Sequence, residues 1–297
     1  MNSAVLRAWY QASRAPFFVA TLIPLALGGV TAHAEGNWNT ARWLAVLVGC
    51  FLVHLCTNLA NDYFDFESGA DAGDSIGGSR VIQDGKITLH QIRTAMVLLY
   101  GLAFLCGLWV VWHSGLWWLL AFMLFAFLSS LFYTAPPIRY GYRGLGEVFV
   151  AINMGPIMVA GTAAAVAGHF VPRAFWLSIP IGIMVALILY YQSLPDIEAD
   201  AAVGKMTIAV RLGKPEAVWG YRFLVCAALA SIAGLVLLHR LHPVALVSLI
   251  TIYPAYTIDK MIRSTDDWRD LHDRGGKVRM FYLANGLVLI LSMACFG

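Results

Sequence analysis

Long apolar runs recur from one end of this 297-residue chain to the other. Crossing the hydrocarbon core of a bilayer takes about 20 helical residues. Nine runs approach or reach that length: 16–33, 42–62, 91–113, 116–134, 145–168, 175–194, 216–240, 243–262 and 278–296. Inside lipid a backbone has no water to bond with, so each run must satisfy its own N–H and C=O groups, and a helix does so within one segment. The expected fold is therefore all-α and polytopic, with nine transmembrane helices. Composition agrees, since 60% of the residues are hydrophobic and only 12% charged.

The few charges are unevenly placed. One set of loops carries Arg7, Arg14, Arg80, Lys86, Arg93, Arg139, Arg143, Lys205, Arg211, Lys214 and the basic residues between 260 and 279, while the other set has Arg42, Arg173 and Arg240. An excess of Lys and Arg marks cytoplasmic loops. The N-terminus is thus expected in the cytoplasm and the C-terminus outside. The net charge of +3 reflects this topology, and no nucleic-acid partner is expected. Arg7, Arg14, the apolar run and Ala32-His33-Ala34 together look like a cleavable leader, but the first span is expected to be retained, with Trp9 and Tyr10 in an interfacial segment ahead of it. The five cysteines lie in apolar runs without C-x-x-C spacing and read as buried hydrophobes.

Oxygen ligands collect in two places. The second run ends in "TNLANDYFDFESGAD", residues 57–71, and the sixth runs into "QSLPDIEADAAVGKMTIAVRLG", residues 192–213. Counting spans from a cytoplasmic N-terminus puts both on the cytoplasmic face. Residues four apart share one face of a helix, which pairs Asn61 with Asp65 and Asp196 with Asp200, and Asn58 extends the first stripe inward. Hard oxygen donors with gaps between them suit Mg²⁺, whose octahedron is completed by water and substrate phosphate. Setting "DFESGADAG" over "DIEADAAVG" aligns Asp65 with Asp196; a duplication would predict two pseudo-symmetric metal sites facing one another. Basic residues accompany each cluster, Arg80 and Lys86 after the first and Lys205 and Arg211 after the second, with Arg139 and Arg143 in the loop between. A ligand bound through metal at some oxygens and through cations at others is a diphosphate. Most aromatics read as lipid-facing or belt residues, whereas Tyr133, Tyr190 and Tyr191 fall at cytoplasmic helix ends, where a ring face stabilises a cation.

These two motifs, with "SRAPFFVATLIPLALGG" at the entry, resemble the aspartate-rich motifs of the UbiA superfamily of intramembrane aromatic prenyltransferases, and the resemblance spans nearly the whole chain. The N-D-x-x-D-x-x-x-G-x-D form, the "GK-x-T-x-x-V-R-L-G" tail and "YRGLGE" are most similar to the menaquinone branch, the 1,4-dihydroxy-2-naphthoate polyprenyltransferases. The chain departs from the more usual forms at Gly69, at "SRVIQDG" and at Ser193-Leu194-Pro195-Asp196. The resemblance implies one domain over 1–297, with its helices around a central cavity under a cytoplasmic cap of loops, in the cytoplasmic membrane and in contact with lipid. It implies Mg²⁺-dependent transfer of a polyprenyl group from its diphosphate to an aromatic acceptor, with dihydroxynaphthoate expected ahead of 4-hydroxybenzoate, homogentisate or haem B. Asn61, Asp62, Asp65, Asp71, Asp196 and Asp200 are implied as metal ligands, with Asp65, Asp196 and Asp200 central to catalysis. Asn58, Arg80, Arg139, Lys205 and Tyr133 are implied at the substrates. Two rival classes fit less well. A transporter would carry charges near the bilayer midplane, and the CDP-alcohol phosphotransferase signature D-G-x-x-A-R…G-x-x-x-D-x-x-x-D does not occur.

Overall fold

A computed structural model describes residues 3–70 and 76–297. Among the described residues there is no strand. The helices are α1 (Ser3–Ser13), α2 (Val19–Ala34), α3 (Thr40–Ser68), α4 (Leu89–Ser114), α5 (Leu119–Phe132), α6 (Gly146–Ile152), α7 (Gly161–Ala167), α8 (Pro172–Ser193), α9 (Ile197–Ala202), α10 (Ile208–Leu212), α11 (Lys214–Leu237), α12 (Ile252–Ser264) and α13 (Gly276–Phe296). Local chemistry sets several boundaries. The Asn39 side chain accepts the Arg42 N–H at 2.9 Å to start α3. Thr88 and Gln91 form a reciprocal capping box at the start of α4, and Gly115 ends that helix in the left-handed conformation.

Six stretches are long and apolar enough to cross a membrane: α3, α4, the continuous Gly146–Ala167, α8, α11 and α13. A seventh forms if Ser3–Phe17 and Val19–Ala34, bent by 55° where they meet, count as one broken span. The bend separates α1, whose Ala8 and Ala12 pack against Cys56, Leu59 and Val81 while Tyr10 stays exposed, from the largely apolar α2. The other two expected spans appear in shorter form. The fourth is α5, 14 residues long and preceded by a turn at Trp117, and the eighth begins as a 3₁₀ segment, Pro243–Thr251, before α12. The structure thus places helices at all nine apolar runs, but six or seven of them meet the length and hydropathy a span requires.

α8 is the hub. Leu177, Ile181, Met184 and Leu187 are all buried in one core that takes in Ile23 and Leu27 of α2, Ile232 of α11 and Leu289 of α13. A helix buried all round needs no polar face. Its approach to Asn153–Ala160, a π-helical stretch between α6 and α7, is close because both partners lack a side chain. A Cβ on Gly155 would meet the Ser178 carbonyl at 2.8 Å, and one on Gly182 would meet the Ala151 carbonyl at 2.4 Å. The widened turn also holds Pro156, whose missing N–H costs less there than in a regular helix. On the outside, α4 exposes Val97, Leu98, Leu102, Phe104 and Leu105 in one continuous apolar face. No aqueous surface of that kind is stable; the protein is integral to a membrane.

Candidate active site

The C-terminal end of α3 splits its polar residues between two directions. Asn58, Asn61 and Asp65 recur at three- and four-residue intervals and line a cavity of about 840 Å³. Asp62 is rotated about 100° from Asn61 and points elsewhere. Its carboxylate accepts from the Arg14 guanidinium, from the Ser79 hydroxyl and, at 3.0 Å, from the Ser79 N–H. Asn58 joins the same arrangement through the Ser13 carbonyl at 2.9 Å, as does Gln11 through the Ser79 carbonyl at 2.7 Å. Asp62 therefore staples α1 and the 76–80 segment onto α3.

That segment reaches the second cluster as well, since the Ile76 N–H donates to Asp196 Oδ1 at 3.2 Å. Residues from two motifs about 130 positions apart are thus held by one stretch of loop. Asp196, Asp200 and Lys205 line the same cavity as Asp65. The Tyr142 hydroxyl, in the 3₁₀ turn Tyr140–Arg143, donates to Asp65 Oδ1 at 2.7 Å and lies 3.0 Å from Ser68 Oγ. Lys205 Nζ pairs with Asp200 Oδ1 at 3.2 Å and sits 5.6 Å from the centre of the Tyr142 ring.

The two carboxylates are presented by one local device. Gly69, at φ 76°, ends α3; the Ala70 N–H returns to the Asp65 carbonyl at 2.9 Å and the Gly69 N–H to that of Phe66 at 3.1 Å. Gly204, at φ 73°, ends α9 in the same way, with the Lys205 N–H on the Asp200 carbonyl at 2.8 Å and the Gly204 N–H on that of Ala201 at 3.1 Å. Both are Schellman caps with an Asp four residues before the left-handed glycine. The repeat the structure supports is therefore D-x-x-x-G, matching Asp65 with Asp200, and not the Asp65–Asp196 match that the aligned strings suggest.

The electrostatics of the acidic end follow from burial and from its neighbouring charges. Burial lifts the Asp200 carboxyl to about 6; Lys205 pulls it down, while Asp196 and Asp65 add to the rise. Burial also works against the Lys205 ammonium, but Asp200, Asp65 and Tyr142 outweigh it and keep Lys205 above the ordinary lysine value. A hard divalent ion fits these residues: the donors are all oxygens, the Asp200 carboxylate is under-compensated without added positive charge, and Asp65 lies where the α3 carbonyl ends are partially negative. Among the described residues no three acidic or imidazole groups form a complete cage. An ion here needs ligands from water and substrate, as Mg²⁺ accepts.

The remaining expected residues divide. Tyr133 lines the cavity, against Gly141 and Gly146. Arg139, at φ 43°, lies over the Tyr142 ring at 5.6 Å and does not line it, nor does Arg80, in the left-handed region at φ 61°. Asp71 lies outside the described residues. Sequence reasoning did not single out Tyr142, Ser79 or the Ile76 amide, because their partners are 77, 17 and 120 positions away. Away from the carboxylates the cavity turns apolar, along Val53, Phe104, Phe122 and Met123 to Ala45 and Val46 near the other end of α3, about 30 Å from Asp65 at 1.5 Å per residue.

The model of the UbiA prenyltransferase family matches residues 21–274. A 1,4-dihydroxy-2-naphthoate octaprenyltransferase of Bacillus subtilis is 29% identical over 79% of this chain and 75% of its own length. One of Haemophilus influenzae is 31% identical over 72% and 71%. Among solved structures, a UbiA homolog from Archaeoglobus fulgidus bound to GPP and Mg²⁺ superimposes with a TM-score of 0.68 over 96% of this chain and 99% of its own, at 16% identity, a likeness of fold.

Proposed function

The chain belongs to the UbiA prenyltransferase family, and from that membership we propose that it transfers a polyprenyl group from polyprenyl diphosphate to 1,4-dihydroxy-2-naphthoate in quinone synthesis. The observation that carries this reading is the joining of Asp65 and Asp200 by Tyr142 and Lys205 at one end of a long apolar cavity. A head group with two phosphates and a hydrocarbon tail has that same division. 1,4-Dihydroxy-2-naphthoate octaprenyltransferases stand among the chain's relatives, and the Archaeoglobus fulgidus homolog is bound to GPP and Mg²⁺.

Bound Mg²⁺ would draw charge from the departing diphosphate and so lower the barrier to breaking the allylic C–O bond. Asn61, Asp65, Asp196 and Asp200 would hold it. Tyr142 fixes the rotamer of Asp65, and Lys205 faces the same anion from the other motif. Each isoprenoid CH₂ taken from water gains about 0.8 kcal/mol, so the tail lies along the apolar wall beside α3. Tyr133 and the aromatics beyond it keep water from the allylic cation until the electron-rich ring attacks. Asn58, which lines the cavity one turn from Asn61, would meet the acceptor. The whole chain acts as one domain, embedded in the cytoplasmic membrane among its lipids with the N-terminus and the acidic end inside; the Arg14–Asp62 pair supports a shared side for the two.

Purified protein incubated with Mg²⁺, geranylgeranyl diphosphate and dihydroxynaphthoate, 4-hydroxybenzoate, homogentisate or haem B tests the proposal by product mass. Prenylated naphthalene product that disappears with EDTA is expected. Product from another acceptor alone would replace the acceptor, and no product from any of them would refute the activity.

A further inference from the structure

Three cationic side chains, of Arg14, Lys205 and Arg279, line the cavity. Arg14 is committed to Asp62, and Lys205 to Asp200. Arg279, in the first turn of α13, makes no side-chain hydrogen bond or ion pair among the described residues. His272 and Asp273 border the same cavity, and Asp273 is not within ion-pair reach. Its guanidinium lies 4.7 Å from the centre of the Phe17 ring, in the turn before α2, and close to Gly275, which packs on the Tyr191 ring. The Tyr191 hydroxyl donates to the Leu271 carbonyl at 3.0 Å, fixing the segment that leads into α13. A half-buried arginine on a cavity wall, held by an aromatic ring and by no anion, is a prepared oxyanion site with a flat apolar surface beside it.

We propose that Arg279 receives the carboxylate of the aromatic acceptor and so sets both its selection and its orientation. This rests on the prenyltransferase reading above. A diphosphate and a naphthoate carboxylate are both oxyanions, but the diphosphate already has the acidic, metal-ready end formed by α3 and α9, where Lys205 pairs with Asp200. α13 packs chiefly on α2, on the 3₁₀ segment Pro243–Thr251 and on α8. The guanidinium fork matches a carboxylate in two parallel hydrogen bonds, and Phe17, half-buried on the cavity wall, offers ring surface for a fused aromatic system. Held there, the acceptor presents its ring to the cavity between Arg279 and the acidic end, where the prenyl C1 must lie. Arg279 is a binding and positioning residue.

The test compares wild type, Arg279→Gln and Arg279→Lys with three titrations: 1,4-dihydroxy-2-naphthoate, its carboxylate-free analogue 1,4-dihydroxynaphthalene, and geranylgeranyl diphosphate. Arg279→Gln is expected to raise KM for the carboxylated acceptor about 10-fold or more. Arg279→Lys, which keeps the charge and loses the fork, is expected to raise it about 3-fold. KM for geranylgeranyl diphosphate should stay within about 2-fold, and the carboxylate-free acceptor should not distinguish wild type from Arg279→Gln. A rise in KM for the diphosphate instead would reassign Arg279 to the donor and overturn the proposal, as would an unmoved acceptor KM in both variants. Should Arg279→Gln not fold, Arg279→Lys alone decides by the same reading. Equilibrium binding of 1-hydroxy-2-naphthoate, followed by its fluorescence, separates the two readings: wild type that forms no prenyl product refutes the activity, whereas naphthoate binding equal in wild type and variants refutes this inference.

Discussion

Asp62 and Asp65 differ by less than one helical turn and have different partners. Asp65 faces the cavity and accepts from Tyr142; Asp62 is enclosed by Arg14 and Ser79. Removing one member of a buried ion pair leaves the other uncompensated, a loss of about 3 kcal/mol or more. Asp62→Ala is therefore expected to lower the melting temperature in detergent, because Arg14 and the 76–80 segment come loose. Asp65→Ala, which loses the hydroxyl of Tyr142 and no ion pair, is expected to melt near wild type and to lower kcat about 100-fold or more; an equal melting loss in the two variants would contradict the division of roles. Asp200 also carries a pH signature. Its carboxyl sits at about 6 in the metal-free protein, so protons compete with the cation below that value and are gone above it. The Mg²⁺ concentration for half-maximal activity should rise about 10-fold for each pH unit below 6 and level off above 7, a trend Asp200→Asn should abolish along with most of the rate. The presence of the acidic residues was legible in the sequence, and so was the shared face of Asn58, Asn61 and Asp65. The destination of Asp62 was not, because Arg14 and Ser79 come to it from separate segments.

At the scale of elements, the site depends on how two helices stop. Gly69 and Gly204 take left-handed backbone conformations, and each cap returns the chain to the carbonyl of a cavity-lining Asp. An L-residue costs about 1 kcal/mol in that region. Gly204→Ala is thus expected to move Lys205 from Asp200, raising KM for the prenyl diphosphate several-fold with a small change in melting, whereas Gly234→Ala, in the helical interior of α11, should leave KM unchanged. Equal kinetics in the two variants would remove the caps from the account. Helices could be read from apolar runs because lipid leaves the backbone so little choice. Their interruptions could be read less well: the π-helical stretch at Asn153–Ala160 and the 3₁₀ opening at Pro243–Thr251 are responses to packing against neighbours that no local pattern encodes.

For the molecule as a whole, the acidic ends of α3 and α9 meet because the 76–80 segment bonds to both Asp62 and Asp196, and because α8 carries the second motif to the level of the first. Span parity anticipated that meeting without naming the loop that secures it. Topology extends the account to the bilayer. The proposed orientation, N-terminus and acidic end inside with the nine crossings expected from the apolar runs, predicts that a C-terminal alkaline phosphatase fusion is active and a C-terminal green fluorescent protein fusion dark; the reverse would overturn that orientation or that count. The central claim is that both acidic ends grip one diphosphate through magnesium. It is tested most directly by calorimetric titration of a non-hydrolysable geranylgeranyl thiolodiphosphate into wild type, Asp65→Ala and Asp200→Ala, with Mg²⁺ and with EDTA. Binding to wild type in Mg²⁺ alone, weakened about 10-fold or more by either substitution, is the predicted result; a folded Asp65→Ala or Asp200→Ala protein that binds the analogue as tightly as wild type would contradict it.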